Sequence, residues 1–155
     1  MIQLNSILVP LDFSDFSKQA FRYALALAEK FDAKMELLNV LIDMEALVPE
    51  PGMLISTSDQ FMQDQKESAL KTMQEWIEEC SAQQYSIECK TVIGTPFLEI
   101  IRHAKAADSD LIIIGTHGRT GLQHVLMGSV AEKVVRKAPC PVLTVRIKGH
   151  QFVMP

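Results

Sequence analysis

The sequence predicts an α/β fold, an open twisted parallel sheet of five strands in the order 3-2-1-4-5 with helices on both faces. Three observations carry that expectation. Short apolar runs alternate with amphipathic stretches from end to end, the pattern of repeated βα units. Leu111–Ile114 is uniformly apolar and rich in β-branched residues, as a strand covered on both faces must be. The chain has 155 residues, enough for one domain with a sizeable core and too few for two.

The elements follow in order. Ser6–Val9 is a compact apolar run ending at Pro10 and reads as the first strand. Ser14 or Asp15 can cap the helix after it, in which Phe16, Ala20, Ala24, Leu27 and Phe31 keep a spacing of three or four. Met35–Leu41 is the second strand, apolar except for Glu36 and Asn39. Ile42–Ser58, with Pro49, Pro51 and Gly52, reads as a long loop that borders the carboxyl end of that strand. A second helix is expected over 59–82, with Leu70, Met73, Ile77 and Cys80 on one stripe; Met62 and Met73 read as core. Ser86–Ile93 alternates as a half-buried edge strand, and Gly94-Thr95-Pro96 supplies a turn, an N-cap and a first-turn proline for a third helix carrying Phe97, Ile100, Ile101 and Ala104. The strand over 110–115 should lie at the sheet centre. A turn-rich stretch, Thr116–Gly128, leads to a helix over Val130–Lys137, and Val142–Ile147 is the last strand. Lys133, Arg136 and Lys137 suit the carboxyl end of that helix.

Composition narrows the functional classes. Fifteen basic against 19 acidic residues give a net charge of −4, a poor footprint for nucleic acid or an anionic membrane. Cys80, Cys89 and Cys140 form no C-x-x-C pair, so a disulfide framework or zinc site is not expected. No apolar run reaches the ~20 residues of a membrane helix, and the first residues lack the basic start of a secretory signal. A cytoplasmic protein is the expectation.

In sheets of this type ligands bind beyond the carboxyl ends of the strands where the order reverses. For the order 3-2-1-4-5 that point lies between the first strand and the fourth, so Pro10–Ser14 and Gly115–Ser129 are the segments of interest. The second contains Gly115, Gly118, Gly121 and Gly128, followed by Ser129 at the start of a helix. Glycines there let backbone approach a ligand closely, and the amides of a helix start suit phosphate. Ser129-Val130-Ala131-Glu132 is equally a capping box, and Gly115 and Gly121 are equally turn glycines. Asp12 would present a carboxylate to the crevice, suited to ribose hydroxyls or to helping hold Mg²⁺, and reads also as an ordinary residue before a helix. The P-loop, G-x-G-x-x-G and G-x-S-x-G patterns are absent. His117 and His124, seven apart, have no Cys or carboxylate to complete a metal set.

Ile7-Leu8-Val9-Pro10-Leu11-Asp12-Phe13-Ser14, Asp110-Leu-Ile-Ile-Ile-Gly-Thr-His-Gly-Arg-Thr-Gly121 and Leu126-Met-Gly-Ser-Val-Ala-Glu-Lys-Val-Val135 together resemble the universal stress proteins. The closing Ala138-Pro-Cys-Pro-Val-Leu-Thr-Val-Arg146 extends the likeness, which covers about residues 4–147. It implies a Rossmann-like, adenine-nucleotide-hydrolase-like fold. Retention of Gly115, Gly118, Gly128 and Ser129 resembles the branch that binds ATP. On that resemblance Pro10 and Asp12 flank the nucleoside, with Asp12 on the ribose. Val40 frames adenine through its backbone. Gly115, His117, Gly118 and Arg119 line the phosphate path, and Gly128, Ser129 and Val130 hold the phosphates. It also implies a homodimer paired through Val142–Ile147, and a regulatory, stress-response role exerted on a protein partner. Two other readings stand beside it: a slow ATPase or phosphotransferase, and an interaction module with an empty crevice.

Overall fold

The computed structural model describes residues 3–42, 59–118 and 127–147. Nine elements alternate: β1 (Ser6–Leu11), α1 (Asp15–Phe31), β2 (Lys34–Ile42), α2 (Asp59–Glu79), β3 (Ile87–Gly94), α3 (Pro96–Ala106), β4 (Leu111–Gly115), α4 (Ser129–Lys137) and β5 (Val142–Val145). The strands form one parallel sheet in the order β3-β2-β1-β4-β5. Strand β1 holds the centre, and β4, expected there, lies beside it.

Alternation along each strand divides the core into two layers. Ile7, Val9, Leu11, Met35, Leu37, Ile113 and Val145 face α1 and α2, where they pack with Phe21, Met73 and Trp76. Leu8, Leu38, Ile112 and Ile114 face α3 and α4, against Ile100, Ala104, Ala131 and Val134. Helix α1 starts at Ser14, whose side chain accepts the Ser17 N–H, and stops at Asp32 in the left-handed region. Helix α2 ends earlier than expected, at Glu79. Its buried stripe is Ala69, Met73, Trp76 and Ile77, while Leu70 is exposed. Phe31, at the end of the α1 stripe, is also exposed. Among the described residues no helix is long and apolar enough to cross a membrane.

Strand β1 runs through Pro10 instead of ending before it, and the sheet shows why this is tolerated. The Asn5 carbonyl accepts from Lys34 N–H at 2.8 Å, on the β2 side, and the Ser6 carbonyl from Asp110 N–H at 3.0 Å, on the β4 side. Backbone groups alternate sides along a strand, so the nitrogen of Pro10 faces β4. Pairing of β1 with β4 is confined to Ile7↔Leu111 and Leu8↔Ile112. Proline therefore occupies a position where a ladder hydrogen bond is no longer required. Beyond Leu8 no further β1–β4 pair forms among the described residues, while β1 stays paired with β2 up to Leu11↔Asn39.

Candidate functional site

At the carboxyl end of the sheet, where the β1–β4 pairing stops, the segments that follow the two strands face each other. The first wall is the turn Asp12-Phe13-Ser14. Asp12 Oδ1 accepts from the Ser14 N–H at 3.1 Å and from the Ser14 hydroxyl at 2.6 Å. Phe13 has φ 64°, unusual for a residue with a side chain, and its ring meets Trp76 edge-on at 5.6 Å. The carbonyl just before the turn, that of Leu11, accepts from Asn39 Nδ2 at 2.8 Å in a buried bond. The turn is thus held from β2, from α1 and from α2.

The second wall follows β4. Gly115 is its last residue, and a Cβ there would lie 2.8 Å from Phe16 Cβ and 2.9 Å from the Phe16 carbonyl carbon. It is not a turn glycine; glycine is required because α1 crosses β4 at this point. Thr116 is buried and pins two elements at once. Its N–H donates to the Val145 carbonyl at 3.0 Å, and its carbonyl accepts the Gly128 N–H at 2.7 Å. The His117 ring lies 5.2 Å from Phe16, and its Nδ1 is 3.0 Å from Thr116 Oγ1. His117 follows the strand in non-helical backbone; its expected neighbour on a helix face, His124, lies outside the described residues.

The walls meet where Gly118 faces Asp12. A Cβ on Gly118 would stand 2.7 Å from Asp12 Oδ2, so the carboxylate reaches across to glycine backbone. At Gly128 an added Cβ finds only ordinary contacts, the nearest being the Thr116 carbonyl oxygen at 3.4 Å. Gly128, not Ser129, is the N-cap of α4, with φ −63° and ψ 151°. Ser129 is therefore the first helical residue, and it is exposed. The expected capping box does not form: Glu132 pairs with Arg136 at 2.9 Å instead of reaching back. By helix geometry the amides of Ser129, Val130 and Ala131 have no carbonyl one turn earlier, and they mark the positive end of the α4 dipole.

The Universal stress protein family model matches residues 4–146. The chain belongs to this family. Universal stress protein MJ0531 of Methanocaldococcus jannaschii is 36% identical over 146 residues, covering 92% of this chain and 82% of that protein. The solved structure of universal stress protein UspA from Lactobacillus plantarum superposes with a TM-score of 0.82 at 26% identity, covering 94% of this chain and all of that one. Two more distant family structures share the fold. One is a complex with cAMP (22% identity, TM-score 0.69, 94% of this chain and 99% of that one). The other, from Archaeoglobus fulgidus, is a complex with dAMP (21% identity, TM-score 0.63, 94% and 100%).

Set against the family site expected from sequence, the structure brings Pro10, Asp12, Val40, Gly115, His117, Gly118, Gly128, Ser129 and Val130 to the carboxyl end of the sheet. Arg119, Gly121 and His124 lie outside the described residues, as does 43–58 of the expected loop; Ile42 closes β2. Several contributors escaped the sequence reading. Val92, Phe97 and Met127 join Val40 and Val130 as half-buried apolar groups packed on the α3/α4 core. Asn39 and Thr91, opposite each other on β2 and β3, have buried oxygens, Oδ1 and Oγ1, without a hydrogen-bond partner. Asn39 stood out as a polar residue in an apolar strand; Thr91, in an alternating strand, carried no signal. Lys133 and Lys137 lie over the Phe97 ring at 4.9 and 5.6 Å, so they cover the α3–α4 seam as well as the helix end. Among the described residues no three His, Cys, Asp or Glu side chains converge as a metal set.

Proposed function

We propose that this universal stress protein binds ATP in the crevice and acts as a nucleotide-dependent regulatory protein. The observation that carries the reading is the approach of the Asp12 carboxylate to glycine backbone at Gly118, beside the start of α4. That arrangement offers an acceptor for a sugar next to amides for phosphate. An apolar floor of Val40, Val92, Phe97 and Met127 suits a purine, with Pro10 and the backbone of Val40 at its edge. Asp12 takes the ribose, Gly118 and His117 flank the phosphates, and Gly128, Ser129 and Val130 receive them. Gly115 contributes backbone only, since packing already accounts for its identity. Mg²⁺, if it accompanies the nucleotide, would neutralise phosphate charge, with Asp12 the one carboxylate of the expected site. The complexes of related folds with cAMP and dAMP support an adenine nucleotide as the ligand class.

The same reading makes the protein a homodimer through the free edge of β5. The strand, expected over Val142–Ile147, is regular over Val142–Val145; it lies at the end of the sheet with Leu143 exposed. Thermal unfolding of the full chain with increasing ATP and Mg²⁺ tests the nucleotide. Specific binding raises stability by about 2.7 kcal/mol at a hundredfold excess over Kd. A melting temperature indifferent to ATP, with no nucleotide released on denaturing the purified protein, would overturn the reading.

A further inference from the structure

One hydroxyl at the start of α1 faces two ways. Ser14 Oγ accepts the Ser17 N–H at 3.2 Å, and Asp12 Oδ1 lies 2.6 Å from the same oxygen. A backbone N–H can only donate and a serine hydroxyl has one proton, so the direction is determined: the Ser17 amide donates to Ser14, and Ser14 donates to Asp12. The Ser14 N–H adds a second bond to that carboxylate oxygen, and Ser17 Oγ donates to the Ser14 carbonyl at 3.0 Å. Oδ1 is engaged within the turn, and Oδ2 is the oxygen directed toward Gly118. The backbone before and after Asp12 is already anchored by the Asn39 bond to Leu11 and by the Phe13–Trp76 contact.

From this geometry we propose that Ser14 is a positioning residue for sugar recognition, holding Asp12 in the orientation that presents Oδ2 to a ribose hydroxyl. The inference rests on the ribose role of Asp12 and extends it: the preference for nucleotides bearing sugar hydroxyls is set by the residue that also caps α1. The cap and the sugar acceptor are joined by one chain of hydrogen bonds. A hydrogen bond to a charged acceptor of this kind is worth about tenfold or more in an equilibrium constant.

The test is titration calorimetry of the full chain with ATP and with 2′,3′-dideoxy-ATP, for the native protein, Ser14→Gly, Ser14→Thr and Asp12→Ala. Glycine caps a helix nearly as well as serine, so Ser14→Gly should melt near the native temperature. Emission of Trp76, the single tryptophan and a neighbour of Phe13, should also be unchanged. The native protein and Ser14→Thr should prefer ATP to the dideoxy analogue by about tenfold or more. Ser14→Gly should lose about tenfold for ATP and little for the analogue, so the preference collapses as it does in Asp12→Ala. If Ser14→Gly is unstable, Ser14→Asp, a strong cap with no proton to give, should collapse the same preference. A Ser14→Gly protein with native preference, or with equal losses for both nucleotides, overturns the positioning role while leaving Asp12 on the ribose. A native protein that binds ATP without preferring it to the analogue removes Asp12 from the sugar, and one that binds neither removes the nucleotide reading; in both cases this inference falls too.

Discussion

The two ends of the sheet treat polar groups in opposite ways. At the amino end, Asp110 accepts the N–H groups of Asn5 at 2.7 Å and Ser6 at 3.0 Å, tying β1 to β4. Buried Glu36 accepts from Lys90 at 2.8 Å through one oxygen and meets His103 Nδ1 at 2.8 Å through the other. This draws β2, β3 and α3 together. At the carboxyl end, Asn39 Oδ1 and Thr91 Oγ1 are buried without partners among the described residues, the α4 cap is a glycine, and β1–β4 pairing ends at Leu8. Buried polar groups left unpaired cost stability and are few in native proteins. At one end the polar side chains are paired within the protein; at the other, two buried oxygens have no such partner among the described residues.

The contrast can be broken first at Glu36. Replacing it with alanine removes two bonds to a buried carboxylate and should cost about 2–3 kcal/mol in urea unfolding. ATP affinity should stay within about twofold of native, since the sites lie at opposite ends of β2. A large change in affinity would mean that the ends are coupled. Gly118→Val attacks the carboxyl end: its Cβ falls on Asp12 Oδ2, and ATP affinity should drop about a hundredfold, which is about 2.7 kcal/mol. Gly128→Ala is more discriminating because the fold has room for the methyl. Stability should fall by about 0.5–1 kcal/mol, because alanine is a poorer N-cap than glycine. ATP affinity should fall roughly tenfold as the methyl stands between α4 and the phosphates, a loss readable by calorimetry.

The smallest effect concerns pH. The hydrogen bond to Glu36, aided by Glu88, holds the Lys90 ammonium above its ordinary range despite an opposing effect of burial. A raised value for a cation gives stability that is present in full below the unfolded value of about 10.4 and is lost as pH rises through the folded one. The contribution of Lys90 to the urea midpoint should therefore be constant from neutral pH to about 10, and above that the midpoint should fall more steeply in the native protein than in Lys90→Met. Because Lys90 is partly exposed, the difference should shrink in high salt.

Much of this architecture was legible in sequence, and the misses have local causes. The βα repeat and the parallel sheet followed from alternating patterns, and the two segments facing each other at its carboxyl end from the doubly wound order 3-2-1-4-5 expected for such a repeat. The cap of α4 did not. Gly128 takes that place because its N–H is drawn to the Thr116 carbonyl, a contact between residues twelve positions apart, and Arg136 then takes Glu132. Leu70 fell off the buried stripe because the face α2 presents depends on where the helix lies against β2 and β3, which periodicity alone leaves free. Gly115 was expected beside phosphate, yet its lack of a side chain answers to Phe16 on a different helix.

By itself the order of residues determined the βα repeat, the parallel sheet, its family and the two segments at the carboxyl end of the sheet, because periodicity, proline and helix-start signals act within a few positions of chain. Only the folded arrangement decided which polar atoms are paired. Whether Asp12 faces Gly118, whether Ser14 commits its proton to that carboxylate, and whether Asn39 keeps an idle oxygen all depend on neighbours brought from distant strands. Hydrogen bonds have a reach of about 3 Å, and no local pattern along the chain specifies which groups come within it.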